Sequence, residues 1–139
     1  MVVVEDEHIG WYGAHTLYGY RAADAAAPQL VERRVVLVQA RDMQHALEVA
    51  EAEAQEYADS RWLNLDGEEV RVRYLGCCDV FDMQATPGAA VEVYSTTHVV
   101  REALSDDELV NRFFGEVESE QERALRERFE IGDPLPDGD

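Results

Sequence analysis

Lysine is absent from the 139 residues: all twelve basic residues are arginine, set against thirty acidic ones, and the net charge is −18. A chain this negative lacks the basic patches that hold nucleic-acid backbones and anionic membrane surfaces, so neither is expected as a partner. Long apolar runs are missing too, and no stretch approaches the length of a bilayer span. The opening Met1-Val2-Val3-Val4-Glu5-Asp6-Glu7 has no basic n-region and no extended apolar stretch, so no secretory leader is expected. Cysteine is scarce, and the two that exist, Cys77 and Cys78, are neighbours, which ordinary disulfide geometry does not bridge. They read as small, partly buried apolar residues; a redox or soft-metal sensor would want further thiols or a histidine beside them. A cytoplasmic setting fits this composition best. What the chain does have is 46% hydrophobic residues, too many for a disordered acidic tail, and a length suited to one domain spanning residues 1–139.

Gly10 to Arg21 reads as a first strand, rich in Trp11, Tyr12, Thr16, Tyr18 and Tyr20. A loop through Pro28 leads to a second strand, Arg33 to Ala40, whose Val35-Val36-Leu37-Val38 is apolar on both faces and predicts a central position. Asp42 caps a helix in which Met43, Ala46, Leu47, Ala50, Ala54 and Tyr57 share one face. After the Asp66-Gly67 turn, Val70, Val72 and Tyr74 alternate with Arg71 and Arg73 as a half-buried third strand. Gly76 marks a bulge, beyond which Cys78 to Phe81 continues the strand, and Val91 to Ser95 makes a fourth. Ser105-Asp106-Asp107-Glu108 is a capping-box signature opening a C-terminal amphipathic helix over 105–131, with Leu109, Val110, Phe113, Phe114, Val117, Ala124, Leu125 and Phe129 in its stripe. Residues 132–139 are expected to fray. The predicted fold is α+β, a four-stranded mainly antiparallel sheet with two helices in the order β-β-α-β-β-α, both helices on one face.

Several short features, in order, resemble a known family. They are Trp11-Tyr12 opening a strand, Glu32 before Val35-Val36-Leu37, an alanine-rich helix after Ala40, and the Asn64…Gly67 turn. The strand through Val80 follows, and then Gly88 shortly before Glu92-Val93-Tyr94-Ser95. From Trp11 to Ser95 the chain resembles a family of small bacterial proteins catalogued as domain of unknown function 4288. The resemblance implies a bacterial, cytosolic α+β domain with the 105–130 helix as an extension. It carries no catalytic residue, because the family has no established activity.

Catalytic patterns are sparse, and the reading leans away from an enzyme. No glycine-rich phosphate loop precedes a helix, and His8, His15, His45 and His98 include no pair at metal-ligand spacing, so no metal or cofactor is expected. Asp79 and Asp82 straddle Phe81 but read as solvated turn residues before they read as an acid–base pair. Charge is more informative. Residues 41–69 carry −7 and residues 102–139 carry −9, whereas 70–101 is neutral, so the excess sits on the helical segments. An acidic proteome with GC-rich coding accounts for this, given seventeen alanines and no lysine. The functional alternative is a small non-enzymatic protein acting by protein–protein contact, an inhibitor or immunity-type partner of a basic protein. Its binding face would comprise Glu48, Glu51, Glu56, Glu118 and Glu122. The wide C-terminal stripe adds a homodimer through that helix, against simple packing on the sheet. The competing class is a small-molecule-binding or enzymatic domain with a pocket at the sheet, walled by His15, Tyr18 and Arg73.

Overall fold

A computed structural model describes residues 8–115 and 118–135. Two long strands form first in the chain, β1 (Gly10–Ala22) and β2 (Leu30–Ala40), joined antiparallel with Gly10 opposite Ala40 and Tyr20 opposite Leu30. The helix α1 (Met43–Ala58) follows, its first turn capped by the Asp42 carboxylate accepting from the His45 amide at 2.8 Å. A three-residue strand β3 (Arg61–Leu63) leads through the Asn64–Gly67 turn into β4 (Glu69–Asp82). Helices α2 (Asp106–Phe114) and α3 (Glu120–Glu127) come next, and a two-residue β5 (Asp133–Pro134) ends the described chain. The sheet is antiparallel, in the order β2-β1-β4-β3-β5.

Strand alternation decides which side is the core. On β1 the even positions Tyr12, Ala14, Thr16, Tyr18, Tyr20 and Ala22 are all buried, and α1 covers them. Ala46, Ala50 and Ala54, spaced one turn apart, are fully buried along the helix. Small side chains there bring the helix axis close and leave room for tyrosine rings from the sheet. Tyr18 packs edge-on against Tyr57 at 4.7 Å and tilts on Tyr74 at 5.7 Å. The tyrosine hydroxyls are satisfied at the rim of this layer. Tyr20 and Tyr57 both donate to one Glu32 oxygen (2.8 and 2.7 Å), and Tyr74 donates to Glu51 at 2.8 Å. Arg34 grips both oxygens of Glu53 while lying 3.7 Å over the Tyr57 ring.

The α+β class and the antiparallel sheet hold, but four expectations change. The described residues hold three helices, because Gly115 (φ +77°) stops α2 and Ser119 caps a fresh α3 through the Glu122 amide. The predicted 105–131 helix is therefore two shorter ones, and its Val117 lies outside the described residues. Val91–Ser95 is no strand: the turn after Pro87, with Ala90 at φ +60°, lifts it off the sheet plane. As expected, the third strand runs on past a bulge at Gly76 (φ +79°), forming β4, whose pairing with β1 slips between Thr16 and Tyr18. β2 is an edge strand, and its odd face is exposed at Val31, Val35 and Leu37. Part of the expected frayed tail is ordered, since Asp133 and Pro134 pair with Leu63 and Trp62; residues 136–139 lie outside the described chain.

The C-terminal segment is fastened by Asn64, which is buried. Its amide donates to Glu68 (3.0 Å) and to the Arg128 carbonyl (2.7 Å), and its carbonyl oxygen accepts from the Asp66 and Glu68 amides. Arg128 forks onto Glu68, Trp62 donates to the Phe129 carbonyl at 3.0 Å, and the Phe129 ring enters the core beside Tyr20 and Val70.

On the opposite side of the sheet the coil at Val93 crosses β1 directly above Gly13, so closely that a Cβ there would overlap the Val93 carbonyl. Gly13→Ala is expected to force this crossing apart and to cost about 1–3 kcal/mol, the usual range for overpacking, read as a lower urea midpoint at unchanged slope.

Candidate functional site

The face away from α1 carries the densest chemistry. Because the Val91–Ser95 segment crosses at Gly13, the Tyr94 side chain reaches the odd-numbered side chains of β1 and β4. Its hydroxyl donates to the Asp79 carboxylate at 2.6 Å and lies 3.1 Å from His15 Nδ1. A phenol has one proton to give. With that proton on Asp79, the contact to His15 requires Nδ1 to be the donor, so a neutral His15 keeps its lone pair on Nε2. The Tyr94 ring stands edge-on to His15 at 5.0 Å and to Phe81 at 6.3 Å. A cleft of about 460 Å³ opens beside this chain of groups, walled by His15, Leu17, Arg33, Cys77, Asp79 and Tyr94. His98 forms part of its rim and stacks on Phe113 of α2 at 5.3 Å.

Burial and neighbouring charge keep the Tyr94 phenol and the Cys78 thiol protonated near neutrality. Burial, then the hydrogen bond to Asp79 and the charge of Asp79, push the Tyr94 phenol up to about 12, against an opposing pull from Arg33. Burial also raises the Cys78 thiol, helped by Glu51 and Asp79, so Cys78 is no thiolate nucleophile. Among the described residues no three His, Cys, Asp or Glu side chains are grouped to hold a metal ion.

The sequence-predicted pocket is divided by the sheet. His15 lies in the cleft, but Tyr18 is on the α1 side, fully buried and hydrogen-bonded to Thr16 at 2.6 Å. Arg73 lies on the same face as His15 but across Gly19, further along the strands, where it donates to Gln29 at 2.8 Å. Tyr94, Asp79 and Arg33 complete the wall in their place. Asp79 and Asp82 point to opposite faces, and Asp82 caps a turn through the Gln84 amide. The five acidic residues are also spread out. Glu48 and Glu56 face solvent on α1, whereas Glu51 is turned in to Tyr74; Glu118 pairs with Arg126 at 2.8 Å, and Glu122 is exposed on α3. The Val91–Ser95 pattern reads Tyr94 as a strand residue, and nothing in it signals the coil crossing that brings the phenol to His15 and Asp79.

Burial raises Tyr12, Tyr20, Tyr57, Tyr74 and Tyr94 above the ordinary tyrosine value of 10.0. A phenol raised in the folded state contributes stability that is intact below the unfolded pKa and is lost as pH rises through the folded one. From neutrality upward, denaturant midpoints are therefore expected to begin falling near pH 9, as the Cys78 thiol titrates, and to fall more steeply above about pH 10. Tyr94→Phe should lessen the part of that fall lying between about 10 and 12.

No curated protein matches the chain, and no solved structure does. Residues 11–95 match the family described as Domain of unknown function (DUF4288), which takes in β1 to β4, α1 and the crossing segment that carries Tyr94. With more than half its length inside that match, the chain belongs to the DUF4288 family.

Proposed function

We propose that this is a non-enzymatic cytoplasmic protein that works by protein–protein contact, in the manner of an inhibitor or immunity-type partner of a basic protein. The observation that carries this reading is α2. None of its nine residues is buried, Val110 is 52% and Phe114 88% exposed, and Asp106, Asp107 and Glu108 fill its first turn. Helices below about 12–15 residues are marginal in water without tertiary packing, so this one gains from a surface that covers it. A surface suited to it is apolar at the centre and cationic around it. The solvent-facing Glu48 and Glu56 of α1, a helix without a single arginine, add to the negative field that would steer a basic partner in. No described helix is long and apolar enough to cross a membrane.

Capture on the immobilised full-length chain, at about 50 mM and about 500 mM salt on either side of the physiological screening regime, tests the reading. A basic protein retained at low salt, released at high salt and lost to a Val110→Ser/Phe114→Ser variant is the expected result. A captured set that is indifferent to both substitutions removes the reading.

One observation favours a second reading, a small-molecule site: the Asp79–Tyr94–His15 chain of hydrogen bonds beside an open cleft. It is expected to show as a thermal shift of several degrees with a metabolite and its loss in His15→Ala. No shift across a broad metabolite panel eliminates it.

A further inference from the structure

Across the open face of the sheet three arginines stand in one row. Arg21 is paired with Arg71, and Arg71 with Arg61, so β1, β4 and β3 present guanidinium groups at adjacent cross-strand positions. Like charges placed directly opposite one another are destabilising. Glu69 offsets this for two of them, at 2.6 Å from Arg71 and 3.7 Å from Arg61. In the next row Arg73 lies over Gly19, whose missing side chain makes the space: a Cβ there would come 2.7 Å from the guanidinium. The Arg73 Nε is buried without a hydrogen-bond partner among the described residues. Arg33 is exposed on the same face of β2. Five of the twelve arginines thus share a face to which the strands bring three carboxylates, Glu69, Asp79 and Asp133. In a chain of net charge −18 the sign is locally reversed. The same face exposes Val31 (57%), Val35 (44%) and Leu37 (39%) along the edge strand.

We propose that this face seats α2 of a second copy, the two copies exchanging helices about a two-fold axis. This builds on the reading of α2 as a contact element and names one occupant for the surface that covers it. The two surfaces correspond in kind. α2 brings Val110, Phe113 and Phe114 with three first-turn carboxylates; the sheet face brings valines, a leucine and arginines. A foreign polyanion would also meet the arginines, but it would meet the repulsion of the whole acidic chain and would leave the valines uncovered. Reciprocal exchange closes the assembly at two copies, where a one-way contact would build a filament.

Sedimentation equilibrium of the full chain, with Phe114→Ser and Arg33→Glu variants at exposed positions, tests this. The wild type is expected to dimerise, with Kd weakening tenfold or more between about 50 mM and about 500 mM salt. Each variant alone should be monomeric. An equimolar mixture of the two should form a heterodimer, tenfold or more weaker than the wild type, because the intact helix of one meets the intact sheet face of the other. Val35→Ser repeats the sheet-face arm independently of charge. A monomeric wild type overturns the proposal, and if that monomer still captures a basic protein through α2, the function proposed above survives it. An Arg33→Glu protein dimerising like the wild type points to helix–helix pairing and overturns it. So does an unaffected Phe114→Ser protein, which points to pairing of the β2 edges, and so does a mixture that stays monomeric.

Discussion

Three fully buried alanines, Ala46, Ala50 and Ala54, set how closely α1 lies on β1, and most of the structure follows from that contact. A sheet has two faces, and this chain supplies one long helix. Laid close on the alanine ridge, α1 covers the even-numbered side chains of β1 and its neighbours, and it collects the tyrosine hydroxyls and their carboxylate partners along its sides. Nothing comparable covers the other face. A coil crosses it at Gly13, a cleft opens beside Tyr94, and the arginine row and the edge-strand valines stay in contact with solvent. The cleft of the second reading and the proposed dimer face therefore both lie where α1 does not reach.

The polar interior has its own logic. Burying a hydroxyl or an amide without a partner costs more than the finished hydrogen bond returns, so such groups come in satisfied sets. Glu32 serves two tyrosines, Glu53 holds Arg34, and Asn64 makes four hydrogen bonds at the turn between β3 and β4. These bonds also redistribute the acidity. Glu32, Glu51, Glu53 and Glu68 are structural carboxylates with named partners, and the charge left for recognition is smaller than the composition suggests.

Period-two and helical patterns made β1, β2, α1 and the bulge at Gly76 legible, because each pattern reports a burial that the fold realises. Where the apolar pattern had another cause, the reading went astray. Val35 to Val38 is apolar on both faces without being central: one face lies toward α1, and the other stays open at the sheet's edge. The continuous stripe after Ser105 concealed a glycine stop at Gly115 and a second cap at Ser119, although Ser119 and Glu122 stand at capping spacing. Of the site, His15 was legible as a strand histidine, but its partners were not. Tyr94 approaches from a coil across the sheet, a tertiary placement that no local period encodes.

Phe129 and Arg128, some sixty residues beyond Asn64 and Glu68, close the hydrophobic layer that β1, β4 and α1 begin. That closure has a temporal side. As the chain leaves the ribosome, the strands and α1 can assemble early, yet the place for the Phe129 ring stays empty until a segment far downstream has emerged. Bringing two such distant segments together carries the entropy of a long loop, which is repaid only once the ring and the Asn64 hydrogen bonds are in place. Until the Phe129 segment docks, the side of Trp62 and Val70 that it covers faces water.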